Sequence, residues 1–143
     1  MHVKIKQFDI TLPLPKYQSK GAACVDLCAR LETKIEAKSI GYIPLNIALE
    51  IPEGYWVLLA ARSSTHKTGL MPANGIGIID WDFHGDNDEY FFPVYNFTDT
   101  EVTIERGQRI AQLIISKYEK IEFEVVEHLE GEDRGKFGST GHK

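Results

Sequence analysis

The chain has 143 residues, enough for one compact domain with a hydrophobic core. Apolar residues make up 43% of it and charged residues 26%, which is the composition of an ordinary globular protein. The net charge of −5 excludes a whole-chain basic field for nucleic acids or anionic membranes, so an anionic substrate requires local recognition, assisted by a cation.

Alternation of apolar and polar residues, with turn residues at short intervals, predicts many short β-strands. In chain order the predicted strands span residues 3–6, 22–30, 40–51, 56–61, 75–79, 90–97, 102–104, 110–115 and 121–127. A helical turn is predicted only at residues 64–68, because Ser and Thr are good N-caps and Lys67 lies near its end. Short strands joined by tight turns favour an all-β barrel or sandwich.

Two cysteines, Cys24 and Cys28, fall in the second predicted strand. Two thiols cannot form a four-ligand zinc site by themselves. A disulfide between them stays open, but two small buried thiols in a reducing compartment are the plainer interpretation. The sequence shows no signal-peptide core and no long apolar run, so we expect a cytoplasmic protein without a membrane partner.

The C-terminal residues differ in composition from the rest of the chain. We expect a β domain over residues 1–130 and a glycine-rich arm over residues 131–143. The arm has a single aromatic residue, Phe137, and nothing that could build a core. It is either a frayed terminus or a segment that becomes ordered over a ligand.

Three internal segments carry side chains that suit phosphate chemistry. Residues 61–65 place Arg62, several hydroxyls and backbone N–H groups at the start of the helical turn, where an anion is favoured, although a capped turn alone would explain them. In residues 74–85 a strand runs into Asp80, whose carboxylate could orient or deprotonate a water or merely close an acidic hairpin. Gln112, in a later strand, could donate to a phosphate oxygen or satisfy its neighbours in the sheet.

Together and in this order, the segments resemble the five motifs of the dUTP diphosphatase (dUTPase) family, in its all-β homotrimeric branch. The matching segments are Ala23-Cys24-Val25-Asp26-Leu27, Arg62-Ser63-Ser64, residues 74–85, residues 107–113 and the tail up to residue 141. The sequence departs from the family pattern at Cys24, where glycine is usual, and at Phe83, where tyrosine is usual. The tail is also two residues shorter between Arg134 and Phe137.

The resemblance implies a distorted β-barrel or jelly-roll-like (β-clip) subunit with one short helix and a flexible C-terminal arm. Subunits of this family assemble as homotrimers with active sites at subunit interfaces, and the arm closes over a site. The implied reaction is hydrolysis of dUTP to dUMP and pyrophosphate, with Mg²⁺ as cofactor and no nucleic-acid partner.

The resemblance also implies a role for each matching residue. Asp80 is the general base that positions a water for in-line attack on the α-phosphorus, and Asp26 holds a water of the Mg²⁺ shell. Phe83 packs on the deoxyribose and excludes a 2′-hydroxyl, and glycines in its hairpin allow close approach of the base. The other implied substrate-binding residues are Arg62, Ser63, Ser64 and Gln112 for phosphate oxygens, Asn74, Gly77, Ile78 and Ile79 for the uracil edge, and Arg134, Phe137, Gly138 and Ser139 of the arm.

Two other functions remain alternatives. A dCTP deaminase of the same fold also carries Arg-Ser-Ser, but it is expected to have its own catalytic glutamate and a different third motif. A non-catalytic trimeric binding or regulatory protein is expected to lack the catalytic aspartate or the arm, and Asp80 and the arm are both present. The acidic stretch at residues 85–89 is either a solvated loop or a part that reshapes the site or the interface.

Overall fold

Short β-strands account for nearly all regular structure in residues 1–133, the part of the chain that the computed structural model describes. The strands are β1 (Lys4–Gln7), β2 (Val25–Cys28), β3 (Thr33–Ile35), β4 (Ile40–Pro44), β5 (Ile47–Glu50), β6 (Tyr55–Ala61), β7 (Leu70–Pro72), β8 (Gly77–Ile79), β9 (Phe91–Asn96), β10 (Val102–Ile104) and β11 (Arg109–Lys117). A 3₁₀ turn at Thr65–Thr68 follows β6, where the sequence predicts a helical turn. Within residues 1–133 no helix is long and apolar enough to cross a membrane.

The strands pair antiparallel in four sheets. β2, β11, β6 and β8 form a four-stranded sheet in that order, and β4, β9 and β7 form a three-stranded one. β1 pairs with β5, and β3 pairs with β10. The four sheets do not close into one continuous barrel, so the predicted all-β fold is confirmed in its jelly-roll-like form.

The hydrophobic core lies between these sheets. Alternate residues of each strand point inward, which is why the alternating pattern predicts the strands well. The largest fully buried side chains include Leu27, Leu59, Tyr90, Phe92 and Ile110. Burying each such side chain contributes about 1.5–3 kcal/mol.

The continuous strand predicted over residues 40–51 is wrong, because Asn46 interrupts it. Asn46 is buried and has a φ of 68°, a left-handed conformation that asparagine tolerates better than most residues. Its side-chain oxygen accepts a hydrogen bond from the Asp9 backbone N–H at 2.6 Å, and its amide group donates to the Asp9 carbonyl at 3.1 Å. The chain therefore bends between β4 and β5.

The strand predicted over residues 121–127 is also wrong for this subunit. The segment is irregular and exposed, with Ile121 71%, Phe123 86% and Val125 96% accessible. No strand of residues 1–133 pairs with it, and an extended segment without a hydrogen-bonding partner does not form a β-strand. Its alternating apolar residues thus remain uncovered.

The acidic stretch at residues 85–89 is anchored at both ends. Asp88 closes a turn by accepting from the Gly85 backbone N–H at 2.6 Å, and Lys6 donates to the Asp86 carbonyl at 2.6 Å. Glu89 is buried, and Arg30 donates to both of its carboxylate oxygens at 2.8 and 2.7 Å. Hydrogen bonding to Glu89 raises the pKa of Arg30 above its ordinary value. The stretch is therefore an ordered loop held to the body of the subunit.

Both cysteines are free thiols, in agreement with the plainer interpretation of the sequence. They are half-buried rather than fully buried. Burial raises the pKa of the Cys28 thiol, which keeps it protonated and unreactive near neutral pH.

Candidate active site

The four-stranded sheet carries four of the five motif segments. Asp26 in β2 pairs with Gln112 in β11, and Gln112 pairs in turn with Ala60 in β6. Directly paired residues of an antiparallel sheet point to the same face, so the Asp26 and Gln112 side chains lie side by side. Gln112 donates one amide hydrogen to the Ala61 carbonyl at 2.8 Å and keeps a second hydrogen for another acceptor. Strand pairing thus brings distant sequence segments to one place.

Asp26 is held by two arginines. Its Oδ2 atom lies 3.1 Å from Arg62 Nε and 3.1 Å from Arg109 Nη1, and its side chain is only 11% exposed. Arg62 also donates to the Arg109 carbonyl at 3.1 Å. Two guanidinium groups and one carboxylate leave a net positive charge, which suits an anionic ligand. Arg109 was not predicted as a site residue, although it lies in the fourth motif segment.

The 3₁₀ turn fixes the backbone around Arg62. The buried Thr65 hydroxyl accepts from the Arg62 backbone N–H at 3.0 Å and donates to the Ile110 carbonyl at 2.8 Å. Ser64 stands at the N-cap, but its side chain does not cap the turn. Its hydroxyl lies 3.4 Å from Arg62 Nη1. The backbone N–H groups of Ser63 and Ser64 find no acceptor among residues 1–133 and so remain available to a ligand.

A second group of predicted residues surrounds a cleft at the edge strand β8. The cleft has a volume of about 330 Å³. Its lining residues are Ile78, Ile79, Asp80, Phe83, Glu89, Tyr90 and Phe91. Asp80 is exposed, and no group of residues 1–133 forms a hydrogen bond or ion pair with its carboxylate. The Asp80 carboxylate is therefore free to accept a hydrogen bond from water.

Phe83 and Tyr90 stack within this cleft. Their ring centroids are 6.2 Å apart and the ring planes differ by 26°. Phe83 is 42% exposed, whereas Tyr90 is 1% exposed. The Tyr90 hydroxyl has no hydrogen-bond partner among the described residues, and burial raises the pKa of its phenol. Tyr90 was missed by the sequence analysis, because nothing in the sequence shows that it faces Phe83.

The predicted base-reading segment forms all of β8 and the loop before it. Asn74 is exposed in that loop, and its carbonyl accepts from the Ile76 backbone N–H at 2.9 Å. A Cβ atom on Gly77 would lie 3.0 Å from the Leu59 Cβ atom of the neighbouring strand. A side chain at position 77 would therefore press on Leu59, so packing against β6 favours glycine there independently of any ligand.

The two groups of residues lie at opposite corners of the sheet. Ile79 pairs with Val57 near the start of β6, and Asp80 follows directly. Asp26 is level with Ala60 near the other end of β6, and β2 is three strand spacings away from β8. With about 4.8 Å between strands and 3.3 Å per residue, Asp26 and Asp80 are on the order of 20 Å apart. One subunit therefore does not bring all the predicted residues together.

The predicted arm residues Arg134, Phe137, Gly138 and Ser139 lie outside the described residues. Within residues 1–133 no group of three or more His, Cys, Asp and Glu side chains is arranged to hold a metal ion. Asp26 uses Oδ2 for its two arginines, and no described group contacts its Oδ1.

Comparisons with known proteins agree with this geometry. The family model described as dUTPase matches residues 11–141. A prophage-derived deoxyuridine 5′-triphosphate nucleotidohydrolase of Bacillus subtilis is 39% identical over 145 residues and covers 100% of both chains. The deoxyuridine 5′-triphosphate nucleotidohydrolase of Finegoldia magna is 43% identical over 135 residues, which is 91% of this chain and 92% of that protein.

Solved structures of dUTPases have the same fold. The Streptococcus mutans dUTPase superposes with a TM-score of 0.76 at 28% identity, over 83% of this chain and 98% of that one. A variant of the phage 80alpha dUTPase reaches a TM-score of 0.84 at 25% identity, over 97% and 98% of the two chains. The likeness extends over nearly the whole length of the molecules.

Proposed function

The chain belongs to the dUTPase family and is an enzyme that hydrolyses dUTP, and from that premise we propose how its residues carry out the reaction. Asp80 orients a water and takes up its proton as the water attacks the α-phosphorus in line. Pyrophosphate then leaves, and dUMP remains. The observation that carries this proposal is the Asp80 carboxylate, which is exposed beside the Phe83 cleft and free of any partner in residues 1–133.

The Asp26–Arg62–Arg109 cluster binds the triphosphate. Arg62 and the hydroxyls of Ser63 and Ser64 donate to phosphate oxygens, together with the free amide hydrogen of Gln112. The net positive charge of the cluster supports this role, and so do the unbonded backbone N–H groups of the Ser-Ser turn. Because Asp26 and Thr65 fix Arg62 from two sides, its guanidinium needs little rearrangement on binding.

The donors at this cluster fit a magnesium ion that arrives with the substrate. Mg²⁺ keeps several waters and uses one or two carboxylates plus phosphate oxygens, so a large protein ligand set is not required. Asp26 is the residue that would hold a water of its shell, because its Oδ1 has no contact with a described residue. When bound, Mg²⁺ neutralises charge on the phosphates.

The Phe83 cleft binds the nucleoside. The Phe83 ring packs against the deoxyribose and leaves no room for a 2′-hydroxyl. The uracil edge is bound by Asn74 and by the backbone of Gly77, Ile78 and Ile79. β8 supports this role because it is an edge strand, paired with β6 alone, and so offers unpaired backbone groups.

We further propose that the site is shared between copies of the chain in a homotrimer. The separation of about 20 Å between Asp26 and Asp80 is too long for one phosphate group to contact both in the same subunit. Asp80 of one copy therefore acts on a triphosphate held by the Asp26–Arg62–Arg109 cluster of another.

An apolar sheet surface supports this assembly. The outer face of the β4-β9-β7 sheet, hereafter the outer face, consists of Ile40, Tyr42, Met71, Phe91, Pro93 and Tyr95. The outward side of an antiparallel sheet is ordinarily polar, and a contiguous apolar surface marks an interaction site. Phe91 also lines the Asp80–Phe83 cleft, so a second copy seated on the outer face also reaches the cleft.

The C-terminal segments complete the assembly. Residues 121–127 keep a strand-like alternation of apolar and acidic residues but pair with no strand among residues 1–133. Pairing with a neighbouring copy would bury their apolar side chains and satisfy their backbone. Beyond them, Phe137 stacks on the uracil, Arg134 contacts the γ-phosphate, and Gly138 and Ser139 close over the substrate. We place the enzyme in the cytoplasm, where its free thiols stay reduced.

A substrate profile tests the proposed function. The protein is incubated with Mg²⁺ and, separately, with dUTP, UTP, dCTP and dTTP, and products are identified by chromatography. We expect dUMP and pyrophosphate from dUTP, with turnover of the other three lower by ~10⁴-fold or more, because their groups clash or leave buried donors unpaired. Ammonia release from dCTP would instead indicate the deaminase, and equal turnover of UTP and dUTP would contradict the role of Phe83.

A further inference from the structure

Phe83 has a buried aromatic ring directly behind it. Tyr90 stacks on the Phe83 ring at 6.2 Å, on the side away from solvent, while 42% of Phe83 remains exposed. The Tyr90 backbone is fixed in two directions, since its N–H donates to the Ile47 carbonyl at 2.8 Å and its carbonyl accepts from Leu45 N–H at 2.9 Å. Tyr90 therefore cannot easily move away from Phe83.

Phe83 itself lies in the loop between β8 and β9. The Phe83 backbone N–H donates to the Asp80 carbonyl at 3.2 Å, and the turn from Gly85 to Asp88 closes the chain between Phe83 and Tyr90. These contacts fix the backbone but do not set the depth of the Phe83 ring in the cleft. The Tyr90 ring is the aromatic group that meets it there.

The Tyr90 hydroxyl does not explain why a tyrosine stands at this position. It is the buried side-chain polar atom that residues 1–133 leave without a hydrogen-bond partner. A buried hydroxyl of this kind costs stability, so the ring, rather than the hydroxyl, is what the cleft uses.

We propose that Tyr90 is a specificity-determining positioning residue, whose ring holds Phe83 forward against the sugar and so sets the preference for deoxyribose over ribose. This inference rests on the role given to Phe83 in the proposed function. The Phe83 ring can exclude a ribose only if it is held in place, because a ring that moves away makes room for the 2′-hydroxyl. The buried ring of Tyr90 supplies that resistance, because core side chains are packed closely and yield little.

The inference is tested by the ratio of kcat/KM for dUTP to kcat/KM for UTP, measured with Mg²⁺ in four variants. Tyr90→Leu removes the ring but keeps an apolar side chain, and the ratio should fall about tenfold or more. Tyr90→Phe keeps the ring and removes the hydroxyl, so the ratio should stay within about twofold of the original enzyme. Phe83→Ala removes the wall itself, and the ratio should fall at least as far as in Tyr90→Leu.

Phe92→Leu is the matched control. Phe92 is a buried aromatic residue of β9, and its truncation removes core packing as Tyr90→Leu does. It should lower the thermal unfolding midpoint without changing the selectivity ratio.

Three results would overturn the inference or its premise. A Tyr90→Leu enzyme as selective as Phe92→Leu would show that Tyr90 is only a core residue. Equal losses in Tyr90→Phe and Tyr90→Leu would assign the effect to the hydroxyl and refute the support by the ring. An unchanged selectivity ratio in Phe83→Ala would instead refute the proposed function of Phe83. A large fall of the ratio in Phe83→Ala, with an unchanged ratio in Tyr90→Leu, would refute only the inference about Tyr90.

Discussion

Two carboxylates of this protein stand in opposite surroundings, and their surroundings determine what they can do. Asp26 is nearly buried and pairs with two guanidinium groups, so it serves to orient arginines and to carry local charge balance. Asp80 is exposed, and no described residue pairs with it, so it can accept a proton from a water. In the proposed site, two aspartates would therefore have different roles because their surroundings differ.

Replacing Asp80 with Asn keeps the shape of the side chain and removes the proton acceptor. We expect kcat for dUTP to fall by roughly 10²–10⁴-fold, the usual contribution of a general base, with substrate affinity retained. Pyrophosphate release measures turnover, and calorimetry with a non-hydrolysable dUTP analogue measures binding. Asp82→Asn, two residues further on, is the control and should stay close to normal. Near-normal turnover in Asp80→Asn together with a loss in Asp82→Asn would transfer the role to Asp82.

Arg109 holds Asp26 in place, so its loss should affect phosphate binding. Arg109→Ala is expected to raise KM for dUTP roughly tenfold, about the contribution of one hydrogen bond to a charged group. Arg106→Ala provides the matched comparison, because Arg106 lies in the turn just before Arg109 and pairs with Asp9 at 2.6 Å rather than with Asp26. An equal rise of KM in both variants would show that Arg109 acts only through the stability of the turn.

At this scale the sequence predicts the residues with characteristic chemistry and misses those whose role depends on position. The motifs identify Asp26, Arg62 and Asp80. They do not identify Thr65 or Tyr90, because the contacts of these side chains follow from strand register and from loop closure. Strand register and loop closure cannot be predicted from the local pattern of one segment.

Among the elements, strands that alternate over four or more residues are predicted well. β3 and β7 are missed although the equally short β8 and β10 are predicted, because Thr-Lys-Ile has a single apolar residue and Leu-Met-Pro ends at a proline, so neither shows an alternation. The run over residues 40–51 is split because Asn46 takes a left-handed conformation, in which its backbone N–H donates to Glu89 and its side chain bonds the Asp9 backbone. Residues 121–127 have the pattern of a strand but lack a neighbour in the subunit. Pattern alone cannot tell where a strand's partner is.

The turn between β10 and β11 is tied to the N-terminal segment through Asp9. The pKa of Asp9 is lowered to about 2, first by the hydrogen bond from the Thr11 hydroxyl and then by Arg106. A lowered folded-state pKa adds stability that is present above the ordinary value of 3.8 and is lost as the pH falls through about 2. The stability that Asp9 contributes should therefore be lost between about pH 4 and pH 2.

Thr11→Val removes the largest cause of the lowered Asp9 pKa without changing the shape of the side chain. We expect a lower urea midpoint at pH 6, and the gap to the original protein should narrow as the pH falls from 4 towards 2. Thr103→Val, at an exposed position of β10, is the control and should show no such pH dependence. A gap that stays constant down to pH 2 would contradict the assignment to Asp9.

For the whole molecule, the outer face and the corner-to-corner separation of Asp26 and Asp80 are the two features that support the proposed assembly with a partner. Such long-range features are beyond a reading of local sequence, since they depend on which strands become neighbours. The resemblance to a trimeric family supplied the expectation, and the subunit supplies the physical grounds for it. Both point to a second copy of the chain.

A charge on the outer face should prevent assembly. Tyr42→Lys places a cation at an exposed position in the middle of that face, and burying it against a second copy would be unfavourable. Light scattering should show folded monomers, and these monomers should not hydrolyse dUTP. Ile10→Lys introduces the same charge at a residue that is 84% exposed and lies elsewhere, and it should remain trimeric and active. An active trimer of Tyr42→Lys would exclude the outer face as the interface.

Mixing two inactive variants tests whether the site is shared. Asp80→Asn and Arg62→Ala each lack one half of the chemistry, so neither should hydrolyse dUTP alone. If Asp80 and Arg62 of one site come from different copies, random co-assembly on co-expression restores about a quarter of the sites. Mixtures that stay inactive although mixed trimers are detected by mass spectrometry would place both residues in the same copy.

The distance between Asp26 and Asp80 also has a consequence for gene dosage. If the site is shared between copies as proposed, a single chain is inactive, and total activity depends on how many chains assemble as well as on how many are made. Dilution would dissociate the proposed trimer and so remove activity while the subunits stay folded. If the site is shared as proposed, an allele with Asp80→Asn alone should be no more harmful than a deletion, because each intact Asp80 still completes one site. An allele that lacks both Asp80 and Arg62 should be partly dominant, because only about a quarter of the sites in mixed trimers then combine two intact residues, half the number that a deletion leaves.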